Sequence, residues 1–316
     1  MTSKVSLSLM LKTYVGDLEY VKRLLISIDN FNIDGIPIHV VAPKEDQQAF
    51  ERILPSEITF IEEEMLSKHM VREPINGIRV GYVNQEIIKL SFWELDVAEN
   101  YFCMDSDLTF LRAFRFNDFM KSETVPYSFV TEDRELQLDR EYYETFGEFR
   151  NQKLQDIRDA IDYQHLPILT CHGHNVFSGK VLASMNNDFL EPMGYTYADL
   201  IRICPYEFSW YNFWHQKSLA IPFHPRESFV KIIHTPKQMA DLIAQQVTED
   251  DLTRAYLGVV FNSNFSRDLG PTDIGGNRSR SLSFSLTRAE IYKIVFEKFR
   301  QDLRKVKRKL LFQKRK

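Results

Sequence analysis

Tyr101-Phe102-Cys103-Met104-Asp105-Ser106-Asp107-Leu108-Thr109-Phe110 is the stretch whose reading decides the fold. A short apolar run bounded by polar residues reads as a buried strand. Two carboxylates at the exit of such a strand are unfavourable unless a positive charge compensates them. In extended chain, residues i and i+2 point to the same side, so Asp105 and Asp107 are expected to converge on one cation. Two hard oxygen donors suit Mg²⁺ or Mn²⁺, which fill the rest of their shell with waters and phosphate oxygens.

Working outward, Val5 to Leu11 reads as a first strand. Asp17 opens a helix with Leu18, Val21, Leu24, Leu25 and Ile28 on one face. Ile36–Val41 is a second strand, a short helix follows around Asp46–Ile53, and Ile58–Ile61 is a third strand. Strand, helix, strand, helix, strand at this spacing predicts a parallel, doubly wound α/β sheet. Residues 62–83 read as a loop, and Asn84 caps a helix to about Leu95 that delivers the chain to Asp105. Asp105 would then end the fourth strand, where open α/β sheets bind ligands.

Beyond Phe114 the texture changes. Residues 117–165 are charged and aromatic, with a helix expected near Leu154–Ile161. Leu166–Thr170 reads as a strand running into a Gly-punctuated, His-rich loop through His172, His174, Asn175 and Gly179. The run Tyr206–His215 is aromatic almost throughout, with Glu207 its lone acid, and Ile232-Ile233 is a short strand stopping at His234. The capping box Thr287-x-x-Glu290 opens a last helix. The expected division is residues 1–261 as the α/β domain, 262–286 as a linker and 287–316 as an amphipathic basic helix.

Hydrophobic residues at 44% and aromatics at 13% allow a substantial core and exclude a disordered chain. Three scattered cysteines form no Cys-x-x-Cys pair, so reduced core thiols are expected. Residues 303–316 hold eight basic residues and no acid, so a whole-chain charge of −4 leaves −12 on the rest. An acidic body with a basic end speaks against nucleic acid as a partner. Lys305, Lys307, Arg308 and Lys309, interspersed with Leu303, Val306 and Leu310, would instead dock on an anionic membrane surface. No run approaches membrane-spanning length and the N-terminus does not read as a signal peptide. The expected location is therefore cytoplasmic, at the inner face of the cell membrane.

A βαβαβ opening followed by a helix and a strand ending Phe102-Cys103-Met104-Asp105-Ser106-Asp107, with Phe110-Leu111-Arg112 behind it, resembles the GT-A glycosyltransferases over roughly residues 5–240. It is similar in particular to bacterial glycosyltransferase-like proteins associated with surface polysaccharides (capsule or lipopolysaccharide). The resemblance implies a Rossmann-type, mostly parallel sheet flanked by helices, with residues 1–115 as its nucleotide-binding half and 116–261 as its acceptor half. It also implies a nucleotide-sugar donor, a glycan or lipid-linked acceptor, and Mn²⁺ or Mg²⁺ as cofactor. It implies that Asp105 meets the ribose or a metal-bound water, that Asp107 ligates the metal, and that a late histidine, His234, joins it. Ser106, Lys89, Asn175 and Gly179 are the further donor-site candidates. An enzyme working with inversion needs a base for the acceptor hydroxyl, for which Glu207 comes first and His172 and His174 next. The two histidines could also bind zinc, but no third ligand has matching spacing. Trp210, Tyr211 and Trp214 would stack on acceptor sugar rings.

Two other readings stand beside this one. Asp105-Ser106-Asp107-Leu108-Thr109 also resembles the nucleophile motif of haloacid-dehalogenase phosphatases, with Asp105 attacking phosphorus and Asp107 as acid. The late acidic motif of those enzymes should end an apolar strand, but the only late Asp pair, Asp250-Asp251, follows a polar run. That family carries its nucleophile on the first strand, whereas three strands precede Asp105 here. The third reading is a GT-A-like domain that binds nucleotide or glycan without turnover.

Overall fold

The computed structural model of the protein describes residues 4–130, 143–166, 173–234 and 236–261. His172, the strand expected after Leu166, the linker 262–286 and the basic helix with Lys305, Lys307, Arg308 and Lys309 lie outside the described residues. The first half follows the expected alternation: β1 (Val5–Lys12), α1 (Leu18–Phe31), β2 (Ile38–Ala42), α2 (Gln47–Glu51), β3 (Thr59–Glu62), α3 (Val80–Ser91) and β4 (Ala98–Met104). Next come β5 (Leu108–Phe110), β6 (Ser128–Phe129), α4 (Glu148–Ala160), β7 (Val176–Ser178) and α5 (Gly179–Met185). The chain continues through α6 (Tyr197–Ile203), α7 (Glu207–Ser218), β8 (Pro225–Arg226), β9 (Val230–Ile233), α8 (Pro236–Ala244), α9 (Glu249–Ala255) and β10 (Gly258–Phe261).

The central sheet has the order β3-β2-β1-β4-β7. Its first four strands are parallel, and β7 closes the edge antiparallel to β4. A smaller sheet, β5-β10-β9, stands beside it. Alternating side chains divide the core between the two faces of the sheet. Met10, Tyr101 and Cys103 pack with α3, α6 and α7, while Leu9, Leu11, Phe102 and Met104 pack with α1. This is a mixed α/β fold with a mostly parallel sheet flanked by helices.

Three local expectations change. The helix before β4 starts at Val80, and Asn84 lies inside it instead of capping it. The Asn84 amide accepts from Val71 N–H (2.8 Å) and donates to Val71 C=O (3.0 Å). It therefore satisfies loop backbone that no strand supplies. Residues 62–83 include the 3-10 turn Glu63–Leu66. The stretch expected as a His-rich loop through Gly179 becomes β7 and the start of α5, because Val176 and Phe177 are buried against β4.

α7 is buried from Glu207 to His215. His215 Nε2 meets Ile221 C=O (3.2 Å) and so carries a proton, while Nδ1 lies 3.2 Å from Ser128 Oγ. Burial, helped by His224 and opposed by the Ile221 carbonyl, lowers its pKa to about 4. An unfolded histidine titrates near 6.5. The folded value is the lower one, so this stability is full above about pH 6.5 and is lost as pH falls towards 4. Urea unfolding at pH 7.5 and 4.5 should show wild type losing up to about 3 kcal/mol more than His215→Gln, because each tenfold difference in proton affinity between the folded and unfolded states is worth about 1.4 kcal/mol. Parallel losses in the two proteins would refute this assignment.

Candidate functional site

The strand order reverses between β1 and β4: the chain goes from β1 outward to β3, then returns to the other side of β1. At such a switch point the loops leaving the two strands turn away from each other and open a crevice at the carboxyl ends, the usual ligand site of open α/β sheets. Leu11 pairs with Met104, so the lips of the crevice are Lys12-Thr13-Tyr14 and Asp105-Ser106-Asp107. Lys12 is buried and ion-paired to Glu63 (2.6 Å) at the end of β3. Thr13 Oγ1 is buried without a hydrogen-bond partner.

Asp105–Leu108 is a turn, closed by Leu108 N–H donating to Asp105 C=O (3.2 Å). The two aspartates are thus set by a turn and not by strand alternation. Ser106 Oγ donates to the buried Asp17 (2.8 Å), fastening the turn to the start of α1. Asp17 makes no side-chain cap bond, and Ser106 serves the turn.

Behind Asp105 lies a buried polar cluster on α3. Tyr82, Gln85, Glu86 and Lys89 fall at i, i+3, i+4 and i+7, one helical stripe. Lys89 is 1% exposed, and its ammonium reaches Asp105 Oδ1 (2.9 Å) and Glu207 Oε1 (2.7 Å). Gln85 Nε2 donates to the same Asp105 oxygen (3.2 Å). The ammonium also stands 5.0 Å from the centre of the Phe208 ring, within cation–π range. Burial alone would discharge Lys89, but Asp105 and Glu207 outweigh it and hold its pKa well above the usual lysine value. On the other side, Asp105 N–H donates to His174 Nε2 (3.2 Å). His174 is neutral, its pKa lowered to about 4 by burial against the opposing pull of Asp105. A neutral ring accepting at Nε2 carries its proton on Nδ1, an atom that is buried without a partner.

Lys89, Asp105, Ser106, His174 and Glu207 therefore come together, and other candidates do not. Gly179 follows Ser178, which pairs with Asn100, so it lies near the amino end of β4, roughly 20 Å from Asp105 at 3.3 Å per residue. There its missing Cβ spares Glu99 C=O, which would lie 3.2 Å away. Asn175 spends its amide internally, accepting from Phe129 N–H and Val176 N–H and donating to Asn212. Trp210, Tyr211 and Trp214 are core residues. Trp210 Nε1–H donates to Leu200 and Cys204 carbonyls, Trp214 Nε1–H to Ser184, and Tyr211 OH accepts from Ser178 N–H. A buried ring bonded on its polar edge has no face to offer a sugar.

β10 pairs Val260 with Leu108 and Phe261 with Ile233. Asp107 and His234 consequently stand at the same end of the small sheet, with the width of β10 between them, roughly 10 Å of backbone. Burial first, then Arg150 and Lys231, lower the His234 pKa to about 3, the neutral state a metal requires. Among the described residues no three of His, Cys, Asp and Glu gather at metal-binding distance. Asp105 and Asp107 are the right donors for a hard cation, and Lys89 and Gln85 both take Asp105 Oδ1. Two carboxylates fit Mg²⁺ or Mn²⁺ provided waters and ligand phosphates complete the shell. The late acidic pair that the phosphatase reading needs lies elsewhere: Asp251 joins Thr248 in a capping box at the start of α9.

Sequence reasoning missed Lys12, Thr13, Gln85 and Glu86. For the pairing of Lys89 with Glu207 a signal existed: a lone acid in the aromatic-rich run 206–215 demands a buried cation, and Lys89 is the only Lys or Arg on α3. Removing one partner of a buried ion pair costs about 3–5 kcal/mol. Lys89→Met should lose about that much in urea unfolding, and Lys89→Met/Glu207→Leu should recover part of it. Additive losses would refute the coupling.

No curated protein matches the chain significantly. Among solved structures, mouse xyloside xylosyltransferase 1 in its apo form is 11% identical, over 83% of this chain and 100% of its own, with a TM-score of 0.47. The galactosyltransferase LgtC, in complex with donor and acceptor sugar analogs, is 10% identical, over 92% of this chain and 95% of its own, with a TM-score of 0.43. Residues 2–179, more than half of the chain, match the model described as "Family of unknown function (DUF6492)", and the chain belongs to that family.

Proposed function

We propose that this protein is a glycosyltransferase that moves a sugar from a nucleotide-sugar donor to a glycan or lipid-linked acceptor. The observation that carries the reading is the placement of Asp105-Ser106-Asp107 at the switch-point crevice, with Asp105 fixed by the buried Lys89–Glu207 pair. A crevice of this kind takes nucleotides, and a turn carrying two carboxylates is suited to a nucleoside diphosphate only with a cation between them. Asp107 and the second oxygen of Asp105 would hold that cation. Bound there, Mg²⁺ or Mn²⁺ supplies Lewis-acid stabilisation of the diphosphate leaving group.

The chain's own residues do the rest. Lys89 and Gln85 fix the orientation of Asp105, and Thr13 and Lys12 form the opposite lip. Glu207 accepts from Lys89 inside the cluster, so in this proposal it holds Lys89 in place and is not the base that deprotonates an acceptor. Bacterial surface polysaccharide synthesis, with the basic C-terminal segment docking the enzyme on an anionic membrane, is the setting we propose. Among the described residues no helix is long and apolar enough to cross a membrane.

The test is a thermal-shift panel of nucleoside diphosphates and nucleotide sugars with Mn²⁺, Mg²⁺ or EDTA. A ligand that binds only the folded state stabilises it by about 2.7 kcal/mol at a hundred times its Kd. One nucleotide class should raise the melting temperature in a metal-dependent way, and Asp107→Ala should abolish the shift. No shift with any nucleotide would overturn the proposal.

A further inference from the structure

Glu86 has no part in the site as described so far, yet it is 2% exposed and sits between the two residues that serve Asp105, one turn below Lys89 and next to Gln85. Its carboxyl is in hydrogen-bonding contact with that of Glu207. Ionised carboxylates only accept hydrogen bonds, so two carboxyls in contact need a proton between them. The geometry says which of the two holds it. Glu207 Oε1 already accepts from the Lys89 ammonium at 2.7 Å, which keeps the negative charge on Glu207. Glu86 Oε2 is closed off from solvent and no N–H or O–H group reaches it.

We infer that Glu86 carries a proton at neutral pH and donates it to Glu207, and that Glu86 is thereby a positioning residue for the chain Glu207–Lys89–Asp105. With the proton present, one ammonium faces two carboxylates. Without it, one ammonium would face three, and two of them, Glu86 and Glu207, are buried from water with it. The proton thus keeps Glu207 against Lys89 and leaves Lys89 free to hold Asp105.

The groups around Glu86 are accounted for. On α3 itself are Lys89, which stays charged, and Tyr82, whose phenol pKa burial and the neighbouring carboxylates push well up. α7 supplies Glu207, with Tyr206 just before it, its phenol also raised by burial. β4 supplies Asp105 beyond its end and Cys103, whose thiol burial raises well above the usual value. Burial first, then the charge of Glu207, with Lys89 opposing, raises the Glu86 pKa well above the ordinary carboxylate value. Among these groups Glu86 is the one set to lose a proton as pH rises.

That gives a sign. A carboxyl whose folded pKa is raised contributes stability present below its unfolded value, near 4.3, and lost as pH rises through the folded value. Urea unfolding of wild type and Glu86→Gln between pH 5 and 9 tests this without any substrate, since glutamine keeps the shape and a donor but cannot ionise. Relative to Glu86→Gln, the wild-type folding constant should fall by up to tenfold per pH unit, one proton, until Glu86 ionises. Superimposable pH profiles overturn the inference. Should the variant not fold, carboxyl carbon NMR on wild type labelled at glutamate decides alone: a protonated glutamate at pH 7 is expected, and its absence overturns the proton.

The positioning role rests on the proposed nucleotide-sugar reading and has its own readout. The nucleotide-dependent thermal shift of wild type should weaken at alkaline pH, and that of Glu86→Gln should not. The same alkaline loss in both proteins overturns the role. The proton count can fail while nucleotide binding stands, and nucleotide binding can fail while the proton count stands.

Discussion

A buried ammonium between two carboxylates governs this structure. Lys89 can be inside only because Asp105 and Glu207 meet it. Taking each ion out of water costs several kcal/mol, which attraction offsets only when the geometry is good. That condition ties three elements together. α3 must present Lys89 inward, α7 must begin where Glu207 can reach it, and β4 must end where Asp105 can. The Lys89 backbone is part of the lock as well, since its carbonyl accepts from the Tyr101 hydroxyl of β4 at 2.6 Å. Glu207, in the first turn of α7, also lies at the end of a helix where negative charge is favoured.

The parallel sheet was legible because its signals are local. Val5 to Leu11 and Ile36 to Val41 are apolar runs of strand length, and the stripe Leu18, Val21, Leu24, Leu25 and Ile28 has helical spacing, so periodicity alone separated them. The buried faces agree with that division. Asn84 failed because its side chain answers a tertiary need. An Asn before an apolar run reads as a cap, while here it serves the Val71 backbone thirteen residues earlier. β7 was missed because three residues paired at a sheet edge have no period of their own.

The site was half legible for a related reason. Asp105 and Asp107 stood out as charges at the end of an apolar strand, and Glu207 stood out as an acid among aromatics. Lys89 was expected in the donor site but not as the partner of Glu207. Tyr82, Gln85 and Glu86 did not stand out, because a polar stripe at helical spacing ordinarily marks the solvated face of a helix. α3 breaks that rule by being covered on both sides: Ile87, Ile88 and Leu90 are buried, and so are Glu86 and Lys89. The opposite error occurred on α7. Aromatics all around a helix mean a buried helix, and Trp210, Tyr211 and Trp214 were core side chains with satisfied polar edges.

Stability gives no reason for the cluster to exist. Buried ion pairs can generally be replaced by apolar residues of similar volume at little loss, and often with gain. A helix such as α3, packed against α7 and the sheet, would hold as well with apolar residues of similar volume at Glu86, Lys89 and Glu207 together. Eight buried polar residues gather at one end of the sheet: Lys12, Thr13, Asp17, Glu86, Lys89, Ser106, His174 and Glu207. Perturbed and buried ionisable groups gathered beside a crevice mark functional sites more than structural ones. The same crevice is where strand order opens a ligand site without reference to any side chain. Topology and buried charge are independent properties of the chain, and they select the same few residues around Asp105.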